Sequence, residues 1–156
     1  MSEPSVQDTA KRIVVGVDGS DGARRALEWA VAEARLRGAR LVAVHTWEMP
    51  PLGISAGPFD PPTPLDPELL QRVEAAAGEL LERELDAVDV SGLEVDKRVE
   101  PRNPADALLD AGREADLLVV GTRGHGGFTE LLLGSVSQQV SHHAPCPVVI
   151  VPRPEQ

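Results

Sequence analysis

The sequence predicts an α/β fold, an open five-stranded parallel sheet with helices on both faces. Three observations predict it. Apolar runs of strand length alternate with segments of helical period in the order β-α-β-α-β-α-β-α-β, which makes a parallel sheet with right-handed crossovers. Aromatic residues are scarce, with two Phe, two Trp and no Tyr. The core must then rest on Val, Leu, Ile and Ala, which suits a sheet sheathed by helices. Finally, 156 residues fit one domain with a real core. Residues 1–10 read as a flexible tail and 11–153 as that single domain.

Ile13 to Val17 is an apolar run ending in the turn cluster Asp18-Gly19-Ser20, and it reads as the first strand. Ser20 and Asp21 are both suited to cap the helix that follows. Ala23, Ala26, Leu27, Ala30, Val31 and Ala34 recur there at helical spacing, and Gly38 supplies a stop. "RLVAVHTW" is a second buried strand. Seven of the 14 prolines fall between Pro50 and Pro67, with Gly53 and Gly57 among them. Residues 49–67 therefore read as a proline-rich loop inside the domain, since too few residues precede them to form a domain.

"PELLQRVEAAAGELLERELDAV" is an amphipathic helix with Leu69, Val73, Ala76, Leu80, Leu81 and Leu85 along one face. Its acidic residues Glu79, Glu82, Glu84 and Asp86 read as solvated. "LEVDKRVE" alternates as a strand nearer the sheet edge. "NPADALLDAGREA" is a short helix with Asn103 at the N-cap and Pro104 at the first helical position. "DLLVVG" reads as a strand buried on both faces. A glycine segment, a helix from about Gly134 to His143 and the strand "CPVVIVP" complete the order.

Charge and composition exclude several functions. A net charge of −10 with scattered basic residues argues against a nucleic-acid partner, which needs clustered Lys and Arg. No apolar run approaches the ~20 residues that span a bilayer, and "MSEPSVQDTAKR" lacks an apolar signal core. The single cysteine, Cys146, cannot form an intramolecular disulfide. The expected compartment is the cytoplasm, without a membrane partner. A small anion remains admissible if backbone N–H groups and one or two cations hold it.

The glycine segment carries the chemistry. "GTRGHGGFTELLLGSVS" puts Gly121, Gly124, Gly126 and Gly127 within seven positions, and Gly134 follows, joined to Ser135. Ordering glycine costs backbone entropy, so the cluster needs a reason. No Gly-Lys-Ser/Thr occurs, which removes the P-loop, and the glycines at 16, 19 and 22 have the wrong spacing for a dinucleotide fingerprint. What remains is G-x-x-G-x9-G-S, formed by Gly121, Gly124, Gly134 and Ser135. Bare backbone there can curl around phosphates, and Gly134-Ser135 opens a helix whose dipole favours an anion. In open α/β sheets ligands bind beyond strand ends where the strand order reverses. If the order is 3-2-1-4-5, the crevice opens between "VDGS" and "GTRGHGG".

The chain resembles universal stress protein domains of the nucleotide-binding type. "VGVDGS", "DLLVVGTRG", "LLGSVS" and "HHAPCPVVIV" carry the resemblance, and G-2x-G-9x-G-S/T is that family's ATP-binding pattern. The resemblance implies a Rossmann-like sheet ordered 3-2-1-4-5, of the adenine nucleotide alpha hydrolase type, with ATP across strands 1 and 4. It implies that Gly16, Val17 and Asp18 face the nucleoside, with Asp18 near the ribose or a nucleotide-bound Mg, and that the Thr46 backbone meets the adenine. Gly121, Thr122, Arg123, Gly124, His125, Gly126 and Gly127 would follow the phosphates. Gly134, Ser135, Val136 and Ser137 would close over them. It also implies a homodimer through the last strand, Val148, Val149, Ile150 and Val151. One departure is Arg102 where such proteins often have glycine before Asn-Pro, so Arg102 is expected either to contact phosphate or to narrow the entrance.

Plainer readings stand beside these. Asp18 suits a turn as well as a ligand. His45, His125, His142, His143 and Cys146 lack the repeated short spacings of a zinc site, and His142 and His143 read as residues complementing a helix C-terminus. Cys146 reads as a small hydrophobe, and Leu131-Leu132-Leu133 as packing. Ser135 lacks a recognisable base and orienting acid, and no H-x-G-H occurs, so dedicated catalysis is not expected. The expectation is an ATP-binding regulatory or stress-response protein. A nucleotide-free dimeric scaffold, a slow ATPase and a cyclic-nucleotide binder are the alternatives.

Overall fold

The chain runs β1 (Arg12–Gly16), α1 (Asp21–Arg37), β2 (Arg40–Thr46), α2 (Pro67–Asp86), β3 (Val95–Glu100), α3 (Pro104–Gly112), β4 (Leu117–Gly121), α4 (Ser135–His143) and β5 (Val148–Val151). The computed structural model describes residues 11–48, 58–59, 66–122 and 133–153. The expected tail, most of the proline-rich segment, Leu131, Leu132 and the candidates Arg123, Gly124, His125, Gly126 and Gly127 lie outside the described residues. All five strands pair in parallel in the order β3-β2-β1-β4-β5.

The two-residue period of β1 divides the core between two layers. Ile13 and Val15 join Ala26 and Leu27 of α1 and Leu81 and Leu85 of α2. Val14 points the other way, toward Leu108 of α3 and Val140 of α4. Each fully buried Leu, Ile or Val contributes about 1.5–3 kcal/mol relative to exposure. Leu117 to Val120 on β4 are buried throughout, as a strand covered on both faces requires.

Local chemistry sets the helix boundaries. Of the two expected caps for α1, Ser20 serves, its Oγ accepting from the Ala23 N–H at 3.1 Å. Gly38 ends the helix at φ +62°, a conformation that disfavours other residues. Asn103 Oδ1 accepts from Ala105 N–H at 2.9 Å, with Pro104 in the first helical turn. Cys146 is half-buried in the apolar layer beneath α3 and α4, and this burial pushes its thiol pKa up.

Two expectations about α2 need correction. Its apolar face is buried only toward the C-terminal half, at Ala77, Leu81 and Leu85, while Leu69 and Ala76 stay exposed. Glu84 is not solvated. It is buried, and both of its carboxylate oxygens accept from Arg24, from Nε at 3.0 Å and Nη2 at 2.8 Å. Glu84 lies on the same stripe as Ala77 and Leu81, and a carboxylate is tolerated there because a two-pronged charge-assisted pair satisfies it.

The two sheet edges differ. β3 carries Asp96, Lys97 and Arg98, with Lys97 paired to Glu82 at 2.7 Å and Arg98 to Asp96 at 3.2 Å. β5 is Val-Val-Ile-Val, each residue half-buried and none charged.

Candidate functional site

A cavity of about 590 Å³ opens beyond the C-terminal ends of β1 and β4. The chain leaves β1 for β2 on one side, while β4 lies on the other. This is the reversal point at which open α/β sheets bind ligands. Gly16, Val17 and Asp18 come from the end of β1, Thr46 from the end of β2, Gly121 from β4, and Gly134, Ser135, Val136 and Ser137 from the start of α4. The structure thus brings together nine of the residues expected there.

Val17 is held from both sides. Its N–H donates to Val44 O at 2.8 Å, and its carbonyl accepts from His45 Nδ1 at 2.8 Å. A carbonyl can only accept, so Nδ1 carries the hydrogen. His45 is therefore a buried strut for the β1 end. Asp18 Oδ1 accepts from both the N–H and the hydroxyl of Ser20, at 2.8 and 2.5 Å. The carboxylate thus stabilises the turn and keeps Oδ2 available, so its two expected roles are compatible.

Gly16 and Gly121 have packing reasons to be glycine. A Cβ on Gly16 would lie 3.1 Å from Leu108 Cδ1, against the cavity wall. One on Gly121 would collide with the backbone at Gly22. Glycine at these points lets β1 and β4 reach the cavity as bare backbone.

The start of α4 differs from the other described helices. Side chains of Ser20, Asp66 and Asn103 cap α1, α2 and α3, whereas α4 opens on Gly134 with no side-chain cap. The N–H groups of its first turn have no intrahelical acceptor, and the helix dipole makes this end attractive to an anion. Gly134 N–H donates to Thr122 O at 2.6 Å, and the Ser137 hydroxyl lies 2.9 Å from Thr122 O and 3.0 Å from Gly134 O. Ser137 therefore spends its hydroxyl hydrogen joining the two ends of the segment. Thr122 supports the site from its carbonyl and is not among the lining residues.

Among the described lining residues, the charged side chains are Asp18 and Glu48, both acidic. An anionic ligand would therefore be met by the backbone of α4, and Asp18 is the carboxylate that would be at hand for a metal ion bound with it. No group of three or more His, Cys, Asp or Glu side chains suited to a metal occurs among the described residues. Arg102 does not line the cavity. Its Nη2 donates to Asp110 Oδ2 at 2.6 Å, and Glu100 lies 3.6 Å away. The two carboxylates account for its direction.

A family model described as the universal stress protein family matches residues 9–152. The chain belongs to the universal stress protein family. It is 41% identical over 145 residues to a universal stress protein of Thermus aquaticus, covering 90% of this chain and 98% of that one. It spans about half the length of the mycobacterial universal stress proteins that it also matches. Two solved structures have similar folds. A universal stress protein in complex with cAMP has a TM-score of 0.56 at 26% identity, over 90% of this chain and 95% of that one. The universal stress protein of Archaeoglobus fulgidus in complex with dAMP has a TM-score of 0.52 at 28% identity, over 90% and 96%.

In this family member the sequence reading missed the apolar walls. Val44, Pro104, Leu108 and Val120 line the cavity, as do Ala23, Leu133 and Glu48. Val44 and Val120 sit near the ends of strands that the sequence does reveal. Leu108 joins the site only through packing of α3 across the sheet, and no local pattern announces that. Among the described residues, no helix is long and apolar enough to cross a membrane.

Proposed function

We propose that this universal stress protein binds an adenine nucleotide, ATP, in the cavity between β1 and β4 and acts as a regulatory stress-response module. The observation that carries the proposal is the uncapped start of α4 at a cavity that Gly16 and Gly121 also line with bare backbone. In this reading the α4 N–H groups and the glycine segment hold the phosphates. Val44 and Leu108 flank the adenine, whose edge meets the Thr46 backbone. Asp18 Oδ2 meets the ribose or a phosphate-bound Mg. The cAMP and dAMP complexes of its structural neighbours support an adenine nucleotide as the ligand class.

Binding rather than turnover is the inferred activity. The Ser135 hydroxyl accepts from the Gln139 amide at 3.2 Å, and an amide cannot serve as a general base. We further propose a cytoplasmic homodimer paired through β5, because that edge is apolar and lacks the charges that protect β3.

The test is to denature freshly purified protein, identify released nucleotide by chromatography and mass spectrometry, and titrate emptied protein with ATP, AMP and cAMP by calorimetry. Released ATP, or tightest binding of ATP, is the expected result. Protein that arrives empty and binds none of the three contradicts the proposal and favours a nucleotide-free scaffold.

A further inference from the structure

β2, β1 and β4 lie side by side, so the crevice at their ends has a direction. At one end stand Gly121 and the start of α4, and at the other stand Thr46 and Glu48. Neighbouring strands are about 4.8 Å apart, which separates the two ends by roughly 10 Å. A nucleotide whose phosphates meet α4 therefore brings its base to the β2 end. The walls between are Gly16, Val44, Leu108 and Val120. Such surfaces accept a flat ring and distinguish poorly between bases, so the choice of base falls to the polar groups at the end of β2.

Glu48 follows Thr46 by two residues, and in extended chain such side chains share a face. Both line the cavity, while Trp47 between them does not. Among the described residues Glu48 makes no hydrogen bond or ion pair, and no described partner takes up its carboxylate. An ionised carboxylate only accepts hydrogen bonds. It complements an exocyclic amino group and opposes a carbonyl oxygen in the same place.

We propose that Glu48 selects the base of the bound nucleotide, accepting a hydrogen bond from the amino group of adenine and disfavouring bases that present a carbonyl oxygen there. The inference rests on the nucleotide reading above and adds a residue that chooses between ligands. ATP and ITP are the matched probes, because hypoxanthine carries a carbonyl where adenine carries the amino group. A site built to pair one substituent rejects the analogue that leaves its polar groups opposed.

The experiment is calorimetric titration of the full chain with ATP and with ITP, for the native protein, Glu48→Gln and Glu48→Ala. The native protein is expected to prefer ATP. That preference is expected to fall about fivefold in Glu48→Gln, whose amide can both donate and accept. Glu48→Ala is expected to weaken ATP binding without weakening ITP binding. Glu48 is exposed, so unchanged thermal melts will separate a lost contact from a lost fold. An ATP-to-ITP ratio equal in the native protein and Glu48→Gln overturns the proposal while the nucleotide reading stands. A native protein that binds neither overturns both.

Discussion

A Cβ on Gly121 would lie 2.7 Å from the carbonyl oxygen of Gly22 and 2.8 Å from its carbonyl carbon. The end of β4 thus abuts the backbone of the first turn of α1, and backbone cannot step aside as a side-chain tip can. Gly121→Ala is expected to cost about 1–3 kcal/mol of stability, as overpacking does. Urea unfolding checks this, and an unchanged midpoint would mean that the two elements separate freely.

Glu84 joins α2 to α1 through Arg24, 60 positions away in the chain. Glu84→Ala removes both charge-assisted bonds, although Arg24 is exposed enough to recover solvation. We expect the melting temperature to fall by roughly 3–6 °C. Glu82→Ala is the control, because both partners of the Glu82–Lys97 pair are about half exposed and such pairs contribute little. Equal melts for the two variants would count against the clamp.

These pairs mark where the sequence is legible. Ser20, Gly38, Asn103 and Gly134 announce helix ends because capping is chemistry between near neighbours. Gly121 and Thr46 are legible as strand ends, where α/β sheets bind ligands. Leu108 and Glu48 are not, because their place in the cavity depends on which strands become neighbours and on how α3 lies across them. Glu84 misleads for a related reason. A helix stripe does not reveal whether a distant arginine will meet a carboxylate at its margin.

Arg102 lies outside the described lining of the cavity and pairs with Asp110. Its hydrogen bond, aided by its charge, holds the Asp110 pKa below the ordinary carboxylate value. The folded pKa therefore lies below the unfolded one. The pair's contribution is complete above the unfolded value, about pH 4, and is lost as pH falls through the folded value. Arg102→Ala is expected to move the Asp110 midpoint upward, as read by carboxyl NMR, while leaving ATP affinity unchanged. A stationary midpoint would contradict the pairing, and weaker ATP binding would restore Arg102 to the site.

The apolar β5 edge predicts dimerisation. Val149→Lys puts a charge on the strand with no counterpart to pair it. Light scattering is expected to find a dimer for the native chain and a raised monomer fraction for the variant, with a thermal melt to separate this from loss of the packing that Val149 makes against the core. A native monomer, or a variant as dimeric as the native chain, would rule this interface out.

Backbone amide NMR during ATP titration decides where the nucleotide sits. The expected result is that shifts concentrate at Gly16, Val17, Asp18, Thr46, Gly121 and Gly134 to Ser137, the residues joined in the cavity. Amides around Gly38 and Gly92, which line a separate hollow, are expected to stay still. No shifts at saturating ATP, or shifts gathered at Gly38 and Gly92, would contradict the nucleotide site between β1 and β4.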